Sequence, residues 1–256
     1  MPDNVDSMET SDYHLGAANC ARSSLKDLIQ TVAEEENTYL INKGDSIEAI
    51  TPGDKRFKMA SVDVKNKILT PEDQADWLIR EFAPIKNKIL AWGLGNHEYT
   101  LLNTMDFGGH IAKALDVPYG AVCYKIHFMG KDGKPMFKTF HAHGNGNAPK
   151  GAKDPIQRKA NRQAWLKRRL EGMAGDCVYM SIGHGHHILI TTPTAHDHLY
   201  LTDTGNSIKQ NYRVPEKQNA KYIAPESRYY SMTGSFLKLF SNPGGGIGYG
   251  EVALYE

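Results

Sequence analysis

Ile89–Leu94 (ILAWGL) is an unbroken apolar, β-prone run that stops at Gly95, where the backbone is free to turn. Such a run reads as a buried strand, and it predicts that Asn96 and His97 sit on a loop at the strand's carboxyl end. Open α/β sheets bind ligands at that edge. An amide that offers one hard oxygen beside a proton-donating imidazole suits hydrolysis at a metal centre. A turn carrying a surface histidine explains the tetrapeptide equally well, so the weight falls on whether the rest of the chain repeats the pattern.

It does. Thr38–Ile41 (TYLI) is β-prone and leads through Asn42-Lys43-Gly44 to Asp45. Near the start, METSDYHLG sets Asp12 and His14 two apart, on one side of the chain if it is extended there, although the polar residues before Asp12 predict a short or ragged strand. Val122–Phe128, GKDGK and Met136–His141 read as a hairpin that runs into His141-Ala142-His143-Gly144. His141 and His143 share a strand face, so either can point into a site. Val178–Ile182 is another buried-type strand, ending in Gly183-His184-Gly185-His186-His187, with His184 and His186 facing one way and His187 the other.

Helices separate these strands in the first half. Leu25, Leu28, Ile29, Val32 and Ala33 give Ser24–Glu36 an amphipathic spacing. Thr70-Pro71-Glu72-Asp73 supplies an N-cap, a first-position proline and an acid for a helix carrying Trp77, Leu78, Ile79 and Phe82. Phe107–Leu115 reads as a short helix, and Thr51–Leu69 as a basic, mixed loop with room for one. Gln157–Leu170 is a basic amphipathic helix; Arg158, Lys159, Arg162, Lys167, Arg168 and Arg169 make the 158–169 stretch a local electrostatic footprint for a polyanion, or simply a solvated face. From Ile188 to Glu256 the runs ILITTP, HLYLTD, RYYSMTGSFLKLF and YGEVALYE read as short strands, Lys209–Pro225 as a long loop and SNPGGGIGYG as a flexible turn.

A length of 256 residues with 40% hydrophobic content is read as one domain over residues 1–256. A formal charge of +1 leaves no global field to announce nucleic acid or membrane. Cys20, Cys123 and Cys177, odd in number and widely spaced, fit neither a disulfide framework nor a zinc-thiolate site, and are read as small core residues in a reducing compartment. No apolar run reaches the roughly 18 residues of a membrane span, and MPDNVDSMETSD lacks a signal region. The expectation is a soluble cytoplasmic protein without a membrane partner; a single copy and a homodimer are both open.

Asp12, His14, Asp45, Asn96, His143, His184 and His186 thus all fall at or just after predicted strand ends. Carboxylate, amide and imidazole donors without thiolate suit divalent ions, Mn²⁺ first, with Fe²⁺, Zn²⁺, Co²⁺, Ni²⁺ and Mg²⁺ as further candidates. In order, SDYHLG, NKGD, GNHE, HAHG and GHGH resemble the five motifs of the calcineurin-like metallophosphoesterases, across residues 11 to 186. The resemblance implies a four-layer α/β/β/α sandwich of two mixed sheets with two metals at the loop edge. It implies that Asp12, His14 and His186 hold one metal, that Asn96, His143 and His184 hold the other, and that Asp45 bridges. His97 stays unligated, to stabilise charge or protonate the leaving oxygen, and Glu98 takes a supporting place. His143 is preferred to His141 because the family pattern sets Gly directly after the ligand. The layout is similar to small phage and prokaryotic members grouped with repair nucleases, which implies a phosphodiesterase acting on nucleic acid or nucleotides. A phosphomonoesterase and an inactive scaffold are the alternatives.

Overall fold

A computed structural model describes residues 4–54, 57, 62–146, 148–149, 151–194, 199–212 and 218–240. The chain is α/β, with two larger sheets and a ribbon. β1 (Asp6–Thr10), β2 (Thr38–Asn42), β3 (Ile89–Gly93) and β4 (Tyr119–Ala121) lie side by side in that order, all parallel. The second sheet is built from β5 (Cys123–Met129), β6 (Pro135–Ala142), β7 (Tyr179–Ile182) and β8 (Leu189–Thr191). β9 (Leu199–Asp203) and β10 (Ile208–Tyr212) form the antiparallel ribbon. β11 (Tyr229–Met232) enters the second sheet, whose order is β5-β6-β7-β11-β8: the three middle strands are parallel and the two outer ones antiparallel.

The helices follow local chemistry. In α1 (Arg22–Glu34) the apolar stripe buries Leu25 and Val32. α2 (Pro71–Phe82) starts at a capping box: Thr70 Oγ1 accepts from the Asp73 N–H at 3.1 Å, and the Asp73 carboxylate accepts from the Thr70 N–H at 3.0 Å. Asn96–Tyr99 forms a one-turn helix, α3, where a loop was expected. α4 (Phe107–Leu115) is capped by Asp106, and α5 (Pro155–Leu170) by Asp154. Leu25, Val32, Leu78, Phe82, Ile111 and Leu115 close over Leu40, Ile89 and Trp92, so α1, α2 and α4 cover the first sheet. Leu166 and Leu170 pack with Met180, Ile182, Tyr230 and Met232, so α5 covers the second. Each such aliphatic burial contributes about 1.5–3 kcal/mol.

Several expectations change. β10 occupies the start of the Lys209–Pro225 loop, because Ile208–Tyr212 finds a pairing partner in β9. Of RYYSMTGSFLKLF only Tyr229–Met232 is strand; Phe236 and Leu237 instead pack against the first core, with the Phe236 N–H bonded to Asp12 O at 2.9 Å. Cys20 and Cys177 are buried, but Cys123 is exposed, since it opens the edge strand β5. SNPGGGIGYG, YGEVALYE, His196 and His198 lie outside the described residues. Among the described residues no helix is long and apolar enough to cross a membrane.

Charged side chains join the two sheets from inside. Lys43, fully buried after β2, donates from Nζ to Glu9 Oε2 of β1 at 2.9 Å. Glu9 Oε1 lies 3.6 Å from Nδ1 of buried His141 on β6, whose ring stacks on Tyr124 at 5.3 Å. Burial works to raise the Glu9 carboxyl, but Lys43 and His141 prevail and hold it well below the usual carboxylate range. Its contribution is therefore full above the ordinary carboxylate pKa and fades as the pH falls toward the lower folded-state value. Removing one partner of a buried pair strands the other charge, so Glu9→Ala should destabilise by about 3–5 kcal/mol, while Glu9→Leu combined with Lys43→Met should recover most of the loss. Urea unfolding at neutral pH measures both; a Glu9→Ala midpoint equal to that of the unmodified chain would show that the pair contributes nothing.

Candidate metal centre

Every sequence-predicted ligand follows the carboxyl end of a strand. Asp12 and His14 come after β1, Asp45 after β2, Asn96 after β3, His143 after β6, and His184 and His186 after β7. The backbone that presents them is not extended. Asp12 (φ 55°), His14 (47°), Asp45 (50°), His184 (65°) and His186 (54°) all sit in the left-handed region, which Asp and His tolerate better than most residues. The two-residue alternation expected for Asp12/His14 and for His184/His186 is thus replaced by tight turns that aim each side chain separately.

The loops are stitched together. Asp12 N–H bonds Gly44 O at 2.9 Å and His14 N–H bonds Asp45 O at 3.0 Å, extending the β1–β2 pairing past the strands. Gly95 passes so close to Asp45 that a Cβ there would overlap its carboxylate. Asp45 Oδ1 accepts the His97 N–H at 2.9 Å, which leaves Oδ2 for the centre.

The donor atoms converge in two groups that share Asp45. In the first, His186 Nε2 lies 3.1 Å from Asp12 Oδ1 and 3.2 Å from His14 Nε2, and His14 Nε2 lies 3.8 Å from Asp12 Oδ1. In the second, Asn96 Oδ1 lies 3.0 Å from His143 Nε2 and 2.7 Å from His184 Nδ1. Asp45 Oδ2 is 3.1 Å from His143 Nε2 and 4.0 Å from His14 Nε2. Donors that hold one ion at about 2.0–2.2 Å stand roughly 2.8–3.6 Å apart at octahedral or tetrahedral angles, so most of these separations fit ligands around a common centre. Asp12–His14–His186 and Asp45–His143–His184 each bring three donor atoms within 4.8 Å, and so does His14–Asp45–His97.

Hydrogen bonds at the far nitrogens orient the rings. His143 Nδ1 donates to the Lys43 carbonyl at 3.1 Å, and since a carbonyl only accepts, Nε2 of the neutral ring keeps its lone pair toward the centre. His14 Nδ1 faces the Glu48 carboxylate at 2.8 Å, with the same consequence. His97 Nδ1 donates to Glu48 O at 2.6 Å, and its ring centroid is 4.7 Å from that of His14. Asp12 Oδ2 accepts from Ser11 Oγ and from the His184 N–H, whereas its buried Oδ1 has no hydrogen bond among the described residues and faces the imidazoles.

The carboxylates and imidazoles of this pocket shift one another's protonation. Burial works to raise Asp12 and Asp45, yet His14 and His186 beside the one and His143 beside the other hold both carboxyls well below the usual range. Burial works to lower His14 and His143, yet Asp12 and Glu48 push the first well up and Asp45 pushes the second up. Burial lowers His97 and His184, with a neighbouring imidazolium adding to each shift. Carboxylates that draw protons onto facing imidazoles mark a site where a divalent ion can take the place of those protons. The Asp and His donors gathered here could therefore hold a metal ion.

Two outcomes concern histidine choice and support. His143 enters the centre and His141 does not, because the strand ends at Ala142 and the turn swings only His143 over the loop edge. Glu48 escaped the sequence reading although it fixes both His14 and His97; its only signal was an acid three residues after Asp45. No protein-family model and no curated protein matches this sequence.

Glu98 is the remaining support. Fully enclosed, it accepts four backbone N–H groups, from Asp45 and Gly95 at 3.1 Å each, Ser46 at 2.6 Å and Ile47 at 3.2 Å. Burial, with the Asp45 charge adding to it, pushes its carboxyl up to about 7 against those donors. Glu98→Gln turns an NH₂ toward N–H groups that need an acceptor. It should cost about 1.5–3 kcal/mol of stability and weaken metal binding roughly 10–100-fold through displacement of Asp45. Thermal unfolding and Mn²⁺ titration test this together; unchanged values in both would show that the Asp45 loop holds itself.

Proposed function

We propose that this chain is a two-metal phosphoester hydrolase, a phosphodiesterase acting on nucleic acid or nucleotides, with the four-layer α/β/β/α sandwich of the calcineurin-like metallophosphoesterases. The observation that carries the reading is Asp45 Oδ2, which lies within reach of both donor groups. An oxygen so placed suits two ions with a common ligand. The helices on the outer faces of the two sheets and the charged contacts between them support the sandwich.

When metal is bound, Asp12, His14 and His186 would hold one ion and Asn96, His143 and His184 the other, with Asp45 placed between the two groups. Mn²⁺ is the favoured metal, because the donors mix nitrogen and oxygen and include no thiolate. Such ions supply the positive charge that activates water and neutralises the phosphoryl oxygens of an in-line displacement. The protein residues position and protonate. Glu98 and the His97 N–H fix Asp45; Glu48 and the Lys43 carbonyl fix the tautomers of His14 and His143. His97, oriented by its Nδ1 bond to the Glu48 carbonyl and set against the His14 ring, is placed to stabilise developing charge or return a proton to the leaving oxygen.

Elemental analysis of the Mn²⁺-loaded chain should find two ions, and turnover of an aryl phosphodiester should exceed that of an aryl phosphomonoester; the reverse ranking would favour a phosphomonoesterase. Asp45→Ala should abolish turnover and release at least one ion, and retention of both with near-normal rates would remove the bridge.

His97→Ala should lower turnover by about 10²–10⁴-fold while leaving metal content intact. The deficit should be large for a poor alkoxide leaving group and small for nitrophenolate. Loss of metal would make His97 a ligand, and equal deficits on both substrates would exclude proton donation.

A further inference from the structure

α5 is anchored on one face and charged on the rest. Its sequence, PIQRKANRQAWLKRRL, holds six Lys and Arg side chains and no acid. Leu166 and Leu170 bury it in the second core, and Gln163 Nε2 ties it to β8 by donating to Ile190 O at 2.7 Å. Not every cation is available: Arg158 Nε donates to Ala152 O at 3.0 Å and holds the preceding loop.

The outward face forms a cleft. Asn161, Ala164, Trp165 and Arg168, spaced for a single helix face, line a hollow of about 500 Å³ with Arg169 and Pro149. The small Ala164 side chain leaves room beside the indole. The Arg169 guanidinium lies over the Trp165 ring, 5.5 Å from its centre, so an incoming base would take the guanidinium's place on the indole and release the fork to a neighbouring phosphate. One turn back, Arg162 has its Nε buried with no hydrogen-bond partner among the described residues, a guanidinium donor awaiting an acceptor.

We propose that this cleft is a subsite for single-stranded nucleic acid, in which an unpaired base stacks on Trp165 and the flanking phosphates lie against Arg168, Arg169 and Arg162. The proposal rests on the nucleic-acid reading of the metal centre and narrows it to single strands. Base faces in a duplex are already stacked on their neighbours, whereas an unpaired base offers its face to an indole. The missing acids on α5 leave the phosphates without a competing anion.

The full chain, with a chelator present so that binding is measured apart from hydrolysis, is titrated with oligothymidylate, with a duplex of equal length and with inorganic polyphosphate. Trp77 and Trp92 are buried, so quenching of tryptophan fluorescence reports Trp165. Oligothymidylate should quench it and bind more tightly than the duplex. Trp165→Leu should weaken oligothymidylate binding roughly tenfold, the scale of one stacked base, and leave polyphosphate binding alone. Trp165→Phe, which keeps a ring in the second core, should retain most of the affinity and serves if the leucine variant does not fold. Arg168→Gln with Arg169→Gln should weaken both polyanions and flatten the salt dependence. Equal binding of oligothymidylate and polyphosphate with no dependence on Trp165 would reduce the cleft to a general anion face and overturn the proposal, as would preference for the duplex or absence of binding at low salt. Stacking-dependent binding in a chain that hydrolyses no phosphodiester after Mn²⁺ is restored would uphold the subsite and remove the hydrolase reading.

Discussion

The rest of the centre depends on how one carboxylate is held. Asp45 reaches both donor groups only because its loop is clamped from behind by Glu98, whose two oxygens take the N–H groups of Gly95 and of the three residues from Asp45 to Ile47. The clamp works at close range because Gly95 has no side chain to hold the loops apart. With Oδ1 committed to the His97 N–H, only Oδ2 faces inward, so the geometry of one oxygen decides whether the histidines behind it form two separate clusters or one joined centre.

That arrangement is not the relaxed state of its backbone. Five of the candidate ligands adopt left-handed conformations, each costing on the order of 1 kcal/mol or more. Against a total folding stability of about 5–15 kcal/mol, such a concentration persists only where surrounding structure over-determines it. Here the surroundings are the bonds between the β1 and β2 loops, the Glu98 clamp and the buried pair beneath. Lys43 joins two of these: its side chain goes down to Glu9 between the sheets, while its carbonyl orients His143 above. The centre and the inter-sheet contact are thus mechanically connected through one residue.

Charge is segregated within the fold. The centre concentrates carboxylates and imidazoles in a buried, hydrogen-bonded pocket suited to cations, whereas α5 spreads fixed positive charge over an exposed face suited to a polyanion. The loop after β7 turns His184 toward Asn96 and His186 toward Asp12.

Local signals in the sequence were enough for most of the strands that precede the candidate donors. An apolar run ending in glycine and followed by Asp, Asn or His marks a strand end irrespective of what packs around it, and Thr70-Pro71-Glu72-Asp73 marks a helix start for the same reason. Tertiary structure decided the matters that depend on residues distant in sequence. It chose His143 over His141, which look alike along a strand and differ only in which side of the sheet edge holds Asp45 and which holds Glu9. It gave Glu48 a role, because its carboxylate and its carbonyl gain meaning only when the imidazoles of His14 and His97, from separate loops, meet them. It also replaced the expected two-residue alternation by left-handed turns, since a periodicity rule describes an isolated strand, while the direction of a side chain in a loop is set by the hydrogen bonds that loop makes with others.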